Sequence, residues 1–373
     1  MKEKIVHLVI DDKFIDLVVD KFEEYSNAYN YYILVQRKKV KSYKYIKSDK
    51  VQQYSFLEFI NHFILRKNCD ILFVHCFTHL AKVFLWLLPR RIKLYCSCWG
   101  TDLYDGYNPL VKLPDLILPI TKKSYPYNLF KKSDSWFLRI KFFLMKMFQE
   151  KSLARIDYIS TILPYEYNSL INIPHFRAQQ MFFSYSSLLT KNDMRSDLVN
   201  INKKNILIAN SASITCNHMD IFPYLAKYSD KFEKLIVPLN YGNDTYRDFI
   251  VKKGCEEFGE KFNPMLDFVP KEEYKKIIAG CNIVIFGHMR QQALGNISLA
   301  VQVGCKVFLW KENPVYSHYK KMGLVIFSIE DDLEKHLINM TPLSREDIEK
   351  NQSIIINANN SKLKKEKIFI NQL

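Results

Sequence analysis

A polar loop between two apolar runs is the part of the sequence best equipped for chemistry. The apolar run Ile283–Phe286 ends at Gly287, and a second apolar run with helical spacing begins shortly after it. The loop and the start of the second run contain His288, Arg290, Gln291, Gln292, Gly295 and Asn296. In α/β proteins a strand, a polar loop and a helix N-terminus bind anions, because free N–H groups and the positive end of the helix dipole point the same way. Arg290 adds a planar guanidinium, so the segment predicts a phosphorylated ligand.

Two other predicted strands of the C-terminal half also end in polar residues. The run Ile206–Asn210 leads into small polar side chains, and Val237–Pro238 leads into a second polar turn. The residues concerned are Asn210, Ser211, Ser213, Thr215, Asn217, His218, Tyr241 and Gly242. Helix capping accounts for one or two of them, and contact with a ligand is the alternative for the others. Three polar strand ends on the same side of one sheet predict a site for a nucleotide or a nucleotide sugar.

Three candidate acid–base residues follow predicted strands in the N-terminal half. Asp102 lies in the segment 99–105, WGTDLYD, after the predicted strand 94–98. His75 ends the strand sequence FVH, and Asp12 follows the first strand. Each residue alone is as well explained by a helix cap or a turn as by catalysis. Together, three such groups at strand ends are a candidate set for proton transfer.

The charge of the chain is concentrated in its first half. The 373 residues carry a formal net charge of +15. Residues 1–200 contain 30 Lys and Arg against 19 Asp and Glu, a balance of +11, which leaves +4 for residues 201–373. A basic half predicts an anionic partner, which could be nucleic acid, a membrane surface or a phosphorylated substrate. A generally basic surface without a partner is the alternative.

Several classes of protein are disfavoured by what the sequence lacks. No GxGxxG follows the first strand, and no GxxxxGK[ST] or GxSxG occurs. Classical dinucleotide, P-loop and hydrolase-elbow sites are therefore not expected. No DxD stands at a strand end to bridge a metal and a diphosphate, so catalysis without a metal or other cofactor is favoured. The eight cysteines form no CxxC pair and mostly adjoin apolar residues, which is typical of reduced, buried thiols in a cytosolic protein.

Alternating strand and helix patterns predict an α/β protein with two doubly wound, parallel-sheet domains. Five strands are predicted in the first half, at 5–10, 32–36, 71–76, 94–98 and 158–162. Six follow in the second, at 206–210, 234–238, 265–268, 282–287, 306–310 and 324–328. The polar stretch 190–205 is predicted to link a first domain, 1–195, to a second, 205–343, and a helical tail at 344–373 is expected to fray at its end. Ligands of such sheets bind beyond the carboxyl ends of the strands, so a cleft between the domains is the expected site.

An aromatic segment, Trp136–Gln149, is predicted to be helical and carries Arg139 and Lys146 on one face. A buried core helix is the first interpretation. The alternative is a helix that lies among the headgroups of an anionic membrane, and the basic first half favours it. No run of about 18 apolar residues predicts a transmembrane helix, and the N-terminus is interpreted as a strand rather than a signal peptide.

Six motifs in a fixed order resemble a known enzyme family. They are FVH at 73–75, WGTDLYD at 99–105, NSAS at 210–213 with Asn217 and His218, VPLNYG at 237–242, GHMRQQALGN at 287–296 and KENP at 311–314. Over about residues 5–335 the chain resembles the TDP-N-acetylfucosamine:lipid II N-acetylfucosaminyltransferases of enterobacterial common antigen synthesis. The resemblance implies a GT-B fold, in which two Rossmann-like domains face each other across a cleft. It also implies inverting, metal-independent transfer of a 4-acetamido-4,6-dideoxyhexose from a TDP-sugar to a polyprenyl-diphosphate-linked saccharide at the cytoplasmic face of the inner membrane.

The resemblance also implies roles for individual residues. Asp102 is the first choice for the base, followed by His75 and Asp12. The second domain would hold the donor through the strand-end residues named above and through Glu312 and Asn313 of KENP. The first domain would meet the acceptor and the membrane through Trp136, Arg139 and Lys146.

Other functions stay open at this stage. The acceptor could belong to an O-antigen or capsule, with another dideoxy amino sugar as donor. A GT-B-like nucleotide-sugar epimerase or hydrolase that does not transfer to lipid is a second possibility. A basic nucleic-acid-binding protein is the third, although no zinc module, RNP motif or basic arm is visible.

Overall fold

The computed structural model describes residues 2–104, 109–113, 115–125, 136–186, 189 and 204–373, without the side chains of 137–139. It divides into two compact units. The first unit comprises Met1–Lys112, Lys132–Leu188 and Asn359–Leu373. The second unit comprises Leu113–Lys131 and Leu189–Ala358.

The first unit is built on a parallel sheet of seven strands. The strands are β1 (Lys4–Val9), β2 (Tyr29–Val35), β3 (Val51–Tyr54), β4 (Ile71–His75), β5 (Lys93–Ser97), β6 (Tyr158–Ser160) and β7 (Gln179–Gln180). Their order in the sheet is β3-β2-β1-β4-β5-β6-β7. The central strands are continuous apolar runs such as KIVHLV and ILFVH, as expected for parallel strands covered on both faces.

Helices connect these strands. They are α1 (Ile15–Tyr25), α2 (Phe56–Phe59), α3 (His79–Phe84), α4 (Thr101–Tyr104), α6 (Trp136–Arg155) and α7 (Pro164–Ile171). A π-helix, Ile60–Leu65, continues α2, and a 3₁₀ turn, Leu85–Leu87, continues α3.

The second unit repeats the design with six parallel strands. They are β8 (Asn205–Ile208), β9 (Leu235–Pro238), β10 (Phe262–Met265), β11 (Cys281–Phe286), β12 (Lys306–Leu309) and β13 (Phe327–Ser328), in the order β10-β9-β8-β11-β12-β13. Its helices are α5 (Pro119–Ser124), α8 (His218–Ala226), α9 (Asp244–Phe258), α10 (Lys271–Ala279), α11 (Leu294–Gln302), α12 (Pro314–Lys321), α13 (Ile329–Asn339) and the first part of α14 (Arg345–Asn371). Short 3₁₀ turns lie at Ile214–Cys216, Ser229–Lys231 and Gly259–Lys261.

Each of the eleven predicted strands overlaps an observed strand, although the prediction 265–268 shares only Met265 with β10 and the prediction 324–328 shares only two residues with β13. Two observed strands were not predicted. β3 (VQQY) is a polar edge strand and β7 has only two residues. In each sheet the strand order reverses beside the first strand, at β1/β4 and at β8/β11. Ligands of doubly wound sheets bind at the carboxyl ends of strands at such switch points. These two places therefore position the candidate sites.

The compact units differ from the predicted domain boundaries in two places. Residues 113–131 belong to the second unit, where Asn217 Oδ1 accepts the N–H of Leu118 at 2.9 Å. The predicted tail is largely one helix, α14, and its last part belongs to the first unit. Ile370 of that part is fully buried, so the helix is anchored at its end. The predicted linker lies outside the described residues except for its last two positions.

The first turns of α6 are not buried, so the prediction of a core helix is wrong there. Trp136 is 71% exposed and Phe143 68% exposed, and Ile140 and Leu144 are also exposed. Lys146 forms a 3.8 Å ion pair with Glu150. The side chain of Arg139 is outside the described part. Among the described helices, none is long and apolar enough to cross a membrane.

Candidate functional site

Three polar strand ends of the second unit lie side by side, as predicted. β8 pairs with β9 and with β11, with Leu207 opposite both Ile236 and Val284. The residues that follow these strands therefore leave the sheet together at its β8/β11 switch point. This is the position where a doubly wound sheet binds its ligand.

Two glycines allow the loops after these strands to approach closely. A Cβ on Gly242 would stand 2.6 Å from the backbone of Ala212, and Gly242 has a φ of +124°. A Cβ on Gly287 would stand 2.5 Å from the carbonyl oxygen of Cys216. Gly242 is thus needed for the fold of the predicted site, and the same holds for Gly287.

A polar network joins the three strand ends. Asn210 Oδ1 lies 3.0 Å from His288 Nε2, and its Nδ2 donates to the hydroxyl of Tyr241. Gln292 Nε2 donates to Asn210 Oδ1 at 3.4 Å, and Gln292 Oε1 accepts from the hydroxyl of Thr215 at 2.9 Å. Cys216 joins the network through a 3.3 Å contact with His288 Nε2. Cys216 was not predicted, because a buried thiol carries no sequence signal for this role.

His288 is an uncharged member of this network. Burial lowers the pKa of its imidazole well below the ordinary value, and nearby Arg290 adds to the effect. Because Asn210 Oδ1 is an acceptor, the 3.0 Å contact assigns the ring proton to Nε2. Nδ1 is then an acceptor, and it has no hydrogen-bond partner within the described part of the chain. A hydroxyl or N–H group of a ligand could satisfy it.

The end of the site that is predicted to bind an anion is the N-terminus of α11. Ala293, directly before the helix, has a left-handed φ of 57° and no side chain that caps the helix. The first N–H groups of a helix have no partner inside it, so they are free to face an anion. The buried side chain of Arg290 donates to the carbonyl oxygen of Gln291 at 3.0 Å, which holds the guanidinium in the same loop.

Gly295 leaves open space on the first turn of α11. A Cβ built on Gly295 would meet no described heavy atom within 4 Å, and its φ is not in the left-handed region. The fold therefore does not require a glycine here, unlike at Gly242 and Gly287. A ligand that approaches the backbone closely does require one.

We therefore expect Gly295→Ala to separate stability from binding. The variant should be as stable as the wild type or more stable, by up to about 1 kcal/mol, because alanine is the better helix former. Its dissociation constant for TDP should rise about tenfold or more, because the methyl group keeps the diphosphate from the N–H groups. Urea unfolding and calorimetric titration with TDP measure the two effects. Gly259→Ala, on a glycine with equally open space but a φ of +54°, is the contrast: it should lose stability and keep TDP affinity.

Asn217 and His218 are buried and hydrogen-bond to other segments of the second unit. Asn217 Nδ2 donates to the carbonyl oxygens of Gly287 at 2.8 Å and Leu116 at 3.2 Å, and its Oδ1 accepts from Leu118. His218 is fully buried, and its Nδ1 lies 3.1 Å from the hydroxyl of Tyr246. Burial lowers the pKa of His218 to about 3. These contacts make Asn217 a poor candidate for donor binding. His218 keeps that prediction, because its Nε2 is buried without a hydrogen-bond partner among the described residues.

Asn313 is also a positioning residue. Its Nδ2 donates to the carbonyl oxygens of His288 at 2.7 Å and Arg290 at 3.3 Å, and its Oδ1 caps α12 at the N–H of Val315. It therefore shapes the loop that carries Arg290, instead of contacting the donor as predicted. Its neighbour Glu312 is exposed, and contact between Glu312 and the donor stays a prediction.

The remaining predicted donor residues fall into two groups. Ser211 is buried, with its hydroxyl 3.6 Å from the Cys216 sulfur. Ser213 is partly exposed and bonds to Thr215 at 2.9 Å. Buried Gln291 has an Oε1 with no partner among the described residues, and Asn296 is partly exposed on the first turn of α11. Gln291 and Asn296 are thus better placed for ligand contact than Ser211.

In the first unit, Asp102 shapes a turn. Its Oδ1 accepts the N–H groups of Trp99 and Gly100, both at 2.9 Å, and its Oδ2 accepts the N–H of Phe77 at 2.8 Å. The side chain is buried. Both oxygens accept backbone N–H groups, so the geometry favours the alternative of a turn-forming carboxylate over the predicted base.

His75 is enclosed on both ring nitrogens. Nε2 lies 3.1 Å from Nδ1 of His7, and Nδ1 lies 2.9 Å from the hydroxyl of Tyr185. Burial lowers the pKa of His75 well below its ordinary value, and His7 contributes to the shift. No acceptor hydroxyl can reach a ring nitrogen that is fully buried and already partnered. The geometry therefore also disfavours a base role for His75.

Asp12 has the properties of a general base that the other two lack. It lies just beyond the carboxyl end of β1, at the switch point, and is partly exposed. Oδ1 accepts the N–H of Phe14 at 3.1 Å, whereas Oδ2 accepts no hydrogen bond from a described residue. Burial raises the pKa of Asp12 from its ordinary value, which strengthens it as a base.

Three aromatic rings form a cluster that includes Phe14, whose N–H donates to Asp12. The Trp99 ring centroid is 5.0 Å from that of Tyr185 and 5.8 Å from that of Phe14, and all three rings are partly exposed. The turn held by Asp102 carries Trp99, and His75 holds Tyr185 through its hydroxyl. Asp102 and His75 therefore position this cluster. Phe14 and Tyr185 had no local signal, because the fold brings together segments far apart in the chain.

Glu166 is a buried carboxyl near the same turn. Oε1 accepts the hydroxyl of Tyr104 at 2.9 Å, and Oε2 accepts the N–H groups of Ile162 and Leu163 at 2.9 Å. Burial raises the pKa of Glu166 to about 7. The folded state thus binds this proton more tightly than the unfolded state does. The contribution to stability is full below the unfolded pKa near 4.5 and is lost as the pH rises towards 7.

Glu166→Gln should remove this pH dependence. Relative to the wild type, the variant should gain stability between about pH 5 and pH 8, by up to about 3 kcal/mol, because the amide does not ionise. Urea unfolding over this pH range measures the difference. Glu150→Gln, on an exposed carboxylate of α6, should show no comparable trend, and an equal trend in both variants would contradict the assignment.

All eight cysteines are free, and seven of them are buried, as predicted. Within the described residues no group of three His, Cys, Asp or Glu could hold a metal ion.

Comparison with solved structures defines the class of protein. The chain is similar to HepE from Anabaena in complex with UDP and glucose, with TM-score 0.58, 13% identity and coverage of 99% of this chain and 97% of that one. A glycosyltransferase from Rickettsia africae matches with TM-score 0.57 and 12% identity, over 98% and 99%. The α,α-trehalose 6-phosphate synthase from Burkholderia multivorans matches with TM-score 0.60 and 8% identity, over 99% and 96%. The fold is therefore GT-B, as the motifs implied.

The family follows from the sequence. Residues 122–368, about two thirds of the chain, match the family described as 4-alpha-L-fucosyltransferase, glycosyl transferase group 56. The chain belongs to this family and is a glycosyltransferase.

Proposed function

We propose that the protein transfers a 4-acetamido-4,6-dideoxyhexose of the N-acetylfucosamine type from a TDP-sugar to a polyprenyl-diphosphate-linked saccharide. The N-terminus of α11, with Gly295 open and Arg290 held in the same loop, is the observation that carries this proposal. It suits the diphosphate of a nucleotide sugar. The family description names a fucosyl group, which is a 6-deoxyhexose, and so supports a deoxy sugar in the donor.

The chemistry proposed is a single inverting displacement. The acceptor oxygen attacks the anomeric carbon as the bond from that carbon to the diphosphate oxygen breaks. Asp12 Oδ2 takes the proton of the acceptor hydroxyl, and TDP leaves with the electron pair of the broken bond. The N–H groups of α11 and the guanidinium of Arg290 stabilise the charge that develops on the diphosphate. No metal is assigned a step.

The aromatic cluster of Phe14, Trp99 and Tyr185 supports a saccharide acceptor. Aromatic rings present apolar faces that suit the C–H faces of a pyranose, and the cluster includes Phe14, whose N–H donates to Asp12. We place the acceptor sugar on this cluster, so that its hydroxyl meets the Asp12 carboxylate.

The exposed face of α6 supports a membrane location for the lipid-linked acceptor. Trp136, Ile140, Phe143 and Leu144 are exposed apolar residues, and Lys141 and Lys146 are exposed in the same turns. Apolar and basic side chains together suit the headgroup region of an anionic membrane. We propose peripheral binding at the cytoplasmic face of the inner membrane, in the synthesis of a surface polysaccharide.

An assay of purified protein tests the function. TDP-N-acetylfucosamine and a polyprenyl-diphosphate disaccharide should give TDP and a trisaccharide-lipid with an inverted anomeric configuration, with and without EDTA. TDP release without acceptor would indicate a hydrolase, and an altered TDP-sugar would indicate an epimerase. Salt-sensitive binding to DNA or RNA without turnover would favour the nucleic-acid alternative. Absence of turnover with UDP- and GDP-sugars should establish that the nucleobase of the donor is thymine.

A further inference from the structure

A cavity lies at the outer edge of the first sheet. It has a volume of about 430 Å³ and opens between the edge strand β3 and the π-helix that continues α2. Its lining residues are Lys39, Gln52, Gln53, Tyr54, Glu58, Asn61, His62 and Arg66. β3 is separated from β1 and Asp12 by β2, so the cavity is distinct from the acceptor residues.

The cavity is lined by a cation that is available for a ligand. Within the described part of the chain, the guanidinium of Arg66 forms no hydrogen bond and no ion pair. Lys39 is engaged only by Glu58, at 3.7 Å, and both side chains are exposed. In the π-helix the N–H of Arg66 donates to the carbonyl oxygen of Asn61, which places these two residues on successive turns. Arg66 and Asn61 both line the cavity, and a guanidinium together with an amide suits an anion that also carries hydroxyl groups.

A basic loop adjoins the cavity and is held rigidly. Residues 36–50 contain seven exposed basic side chains and include Lys39 of the cavity. Asp11 accepts the N–H groups of Lys44, Tyr45 and Ile46, at 2.6 to 3.2 Å. Asp16 accepts those of Lys47 and Ser48. The hydrogen bonds of these five N–H groups hold the loop in place, so its positive charges lie on an ordered surface.

Exposed apolar side chains adjoin the charged residues. Leu57 and Leu65 are 78% and 69% exposed, and they are the sequence neighbours of Glu58 and Arg66 in the cavity wall. Val40 of the basic loop is exposed as well. A soluble polyanion would leave these apolar side chains in water, whereas a membrane buries them beside its anionic headgroups.

We propose that this cavity binds the phosphate headgroup of an acidic phospholipid such as phosphatidylglycerol, while Leu57 and Leu65 enter the membrane surface. The chemistry recognised is a phosphate that carries hydroxyl groups. The inference rests on the membrane location proposed above, and it adds a lipid-specific site apart from α6. The enzyme would then bind a membrane that contains acidic phospholipids whether or not the acceptor is bound.

Vesicle co-sedimentation of the full chain tests the site without any donor or acceptor. Phosphatidylcholine vesicles with phosphatidylglycerol should bind the protein, and pure phosphatidylcholine vesicles should not. Arg66→Gln should weaken binding about fivefold, as expected for one basic contact at an anionic surface. Arg345→Gln makes the same charge change on an exposed arginine of the second unit and should leave binding unchanged. Equal effects of the two variants would overturn the site.

A soluble probe separates the lipid from other phosphates. Leu65→Ser should weaken vesicle binding but leave the weak binding of sn-glycerol 3-phosphate, followed by NMR, unchanged. Loss of glycerol phosphate binding in Arg66→Gln with undiminished vesicle binding would overturn the lipid in favour of a soluble phosphate. Arg66-dependent binding of single-stranded DNA without vesicle binding would overturn it in favour of nucleic acid. TDP affinity should be the same in all variants, so a failure of the transferase proposal would show separately as absent TDP binding by the wild type.

Discussion

Asp12→Asn is expected to lower the turnover number for sugar transfer about 10³-fold, within the range that a general base contributes. The dissociation constant for TDP should stay the same, because Asp12 belongs to the first unit and the proposed TDP contacts belong to the second. The amide cannot take the proton of the acceptor hydroxyl, although it can still accept the N–H of Phe14. Steady-state kinetics and calorimetric titration with TDP measure the two quantities.

The pH profile gives an independent check on this assignment. The wild-type rate should fall as the pH drops through the pKa of Asp12, because the base must be ionised. Burial raises that pKa, so the acid limb should lie at a higher pH than for an ordinary Asp carboxyl. The residual activity of Asp12→Asn should show no such limb.

Asp102→Asn is the matched control. It also replaces a carboxylate by an amide, but its oxygens accept backbone N–H groups of the turn that carries Trp99. We expect lower stability and a higher KM for the acceptor, with much of the turnover number retained. An Asp12→Asn enzyme as active as the wild type, beside an inactive but folded Asp102→Asn enzyme, would reverse the assignment.

The strands could be predicted from the sequence because of where they lie. Parallel strands covered on both faces, such as β4 and β11, consist of consecutive apolar residues, and the pattern does not depend on distant contacts. β3 escaped prediction because an edge strand with Gln52 and Gln53 can leave polar side chains in water. For the exposed start of α6 the sequence left a core helix and a surface helix open, because apolar composition alone does not say what covers a helix.

The candidate site could be predicted in position but less well in role. Polar residues do cluster at the ends of β8, β9 and β11. The same residue types also satisfy buried backbone groups, and sequence does not distinguish the two uses. Asn217 and Asn313 donate to backbone carbonyl oxygens, and Asp102 accepts a backbone N–H group. Only the fold brings these partners near. Asp12, ranked last, differs in keeping an oxygen without a described partner.

Glu366→Ala is expected to destabilise the protein by about 3–5 kcal/mol, the cost of leaving a buried charge without its partner. Glu366 lies near the end of α14, and both of its oxygens accept from Lys21 Nζ, at 3.0 and 2.9 Å. The Lys21 and Glu366 side chains are only 9% and 3% exposed. Ser184 completes the group, because its carbonyl oxygen accepts from Lys21 at 2.7 Å and its N–H donates to Glu366. Urea unfolding followed by tryptophan fluorescence measures the loss.

The double variant Lys21→Met/Glu366→Leu should recover most of this stability. Burial lowers the pKa of Lys21 and raises that of Glu366, so for both residues the cost of desolvation exceeds the attraction within the pair. A pair of this kind contributes little net stability, and its loss is costly only when one charge remains. Glu349→Ala, which breaks the exposed pair with Arg345 earlier in the same helix, should cost less than about 1 kcal/mol. A double variant as unstable as Glu366→Ala would show that the ion pair itself anchors α14 to the first unit.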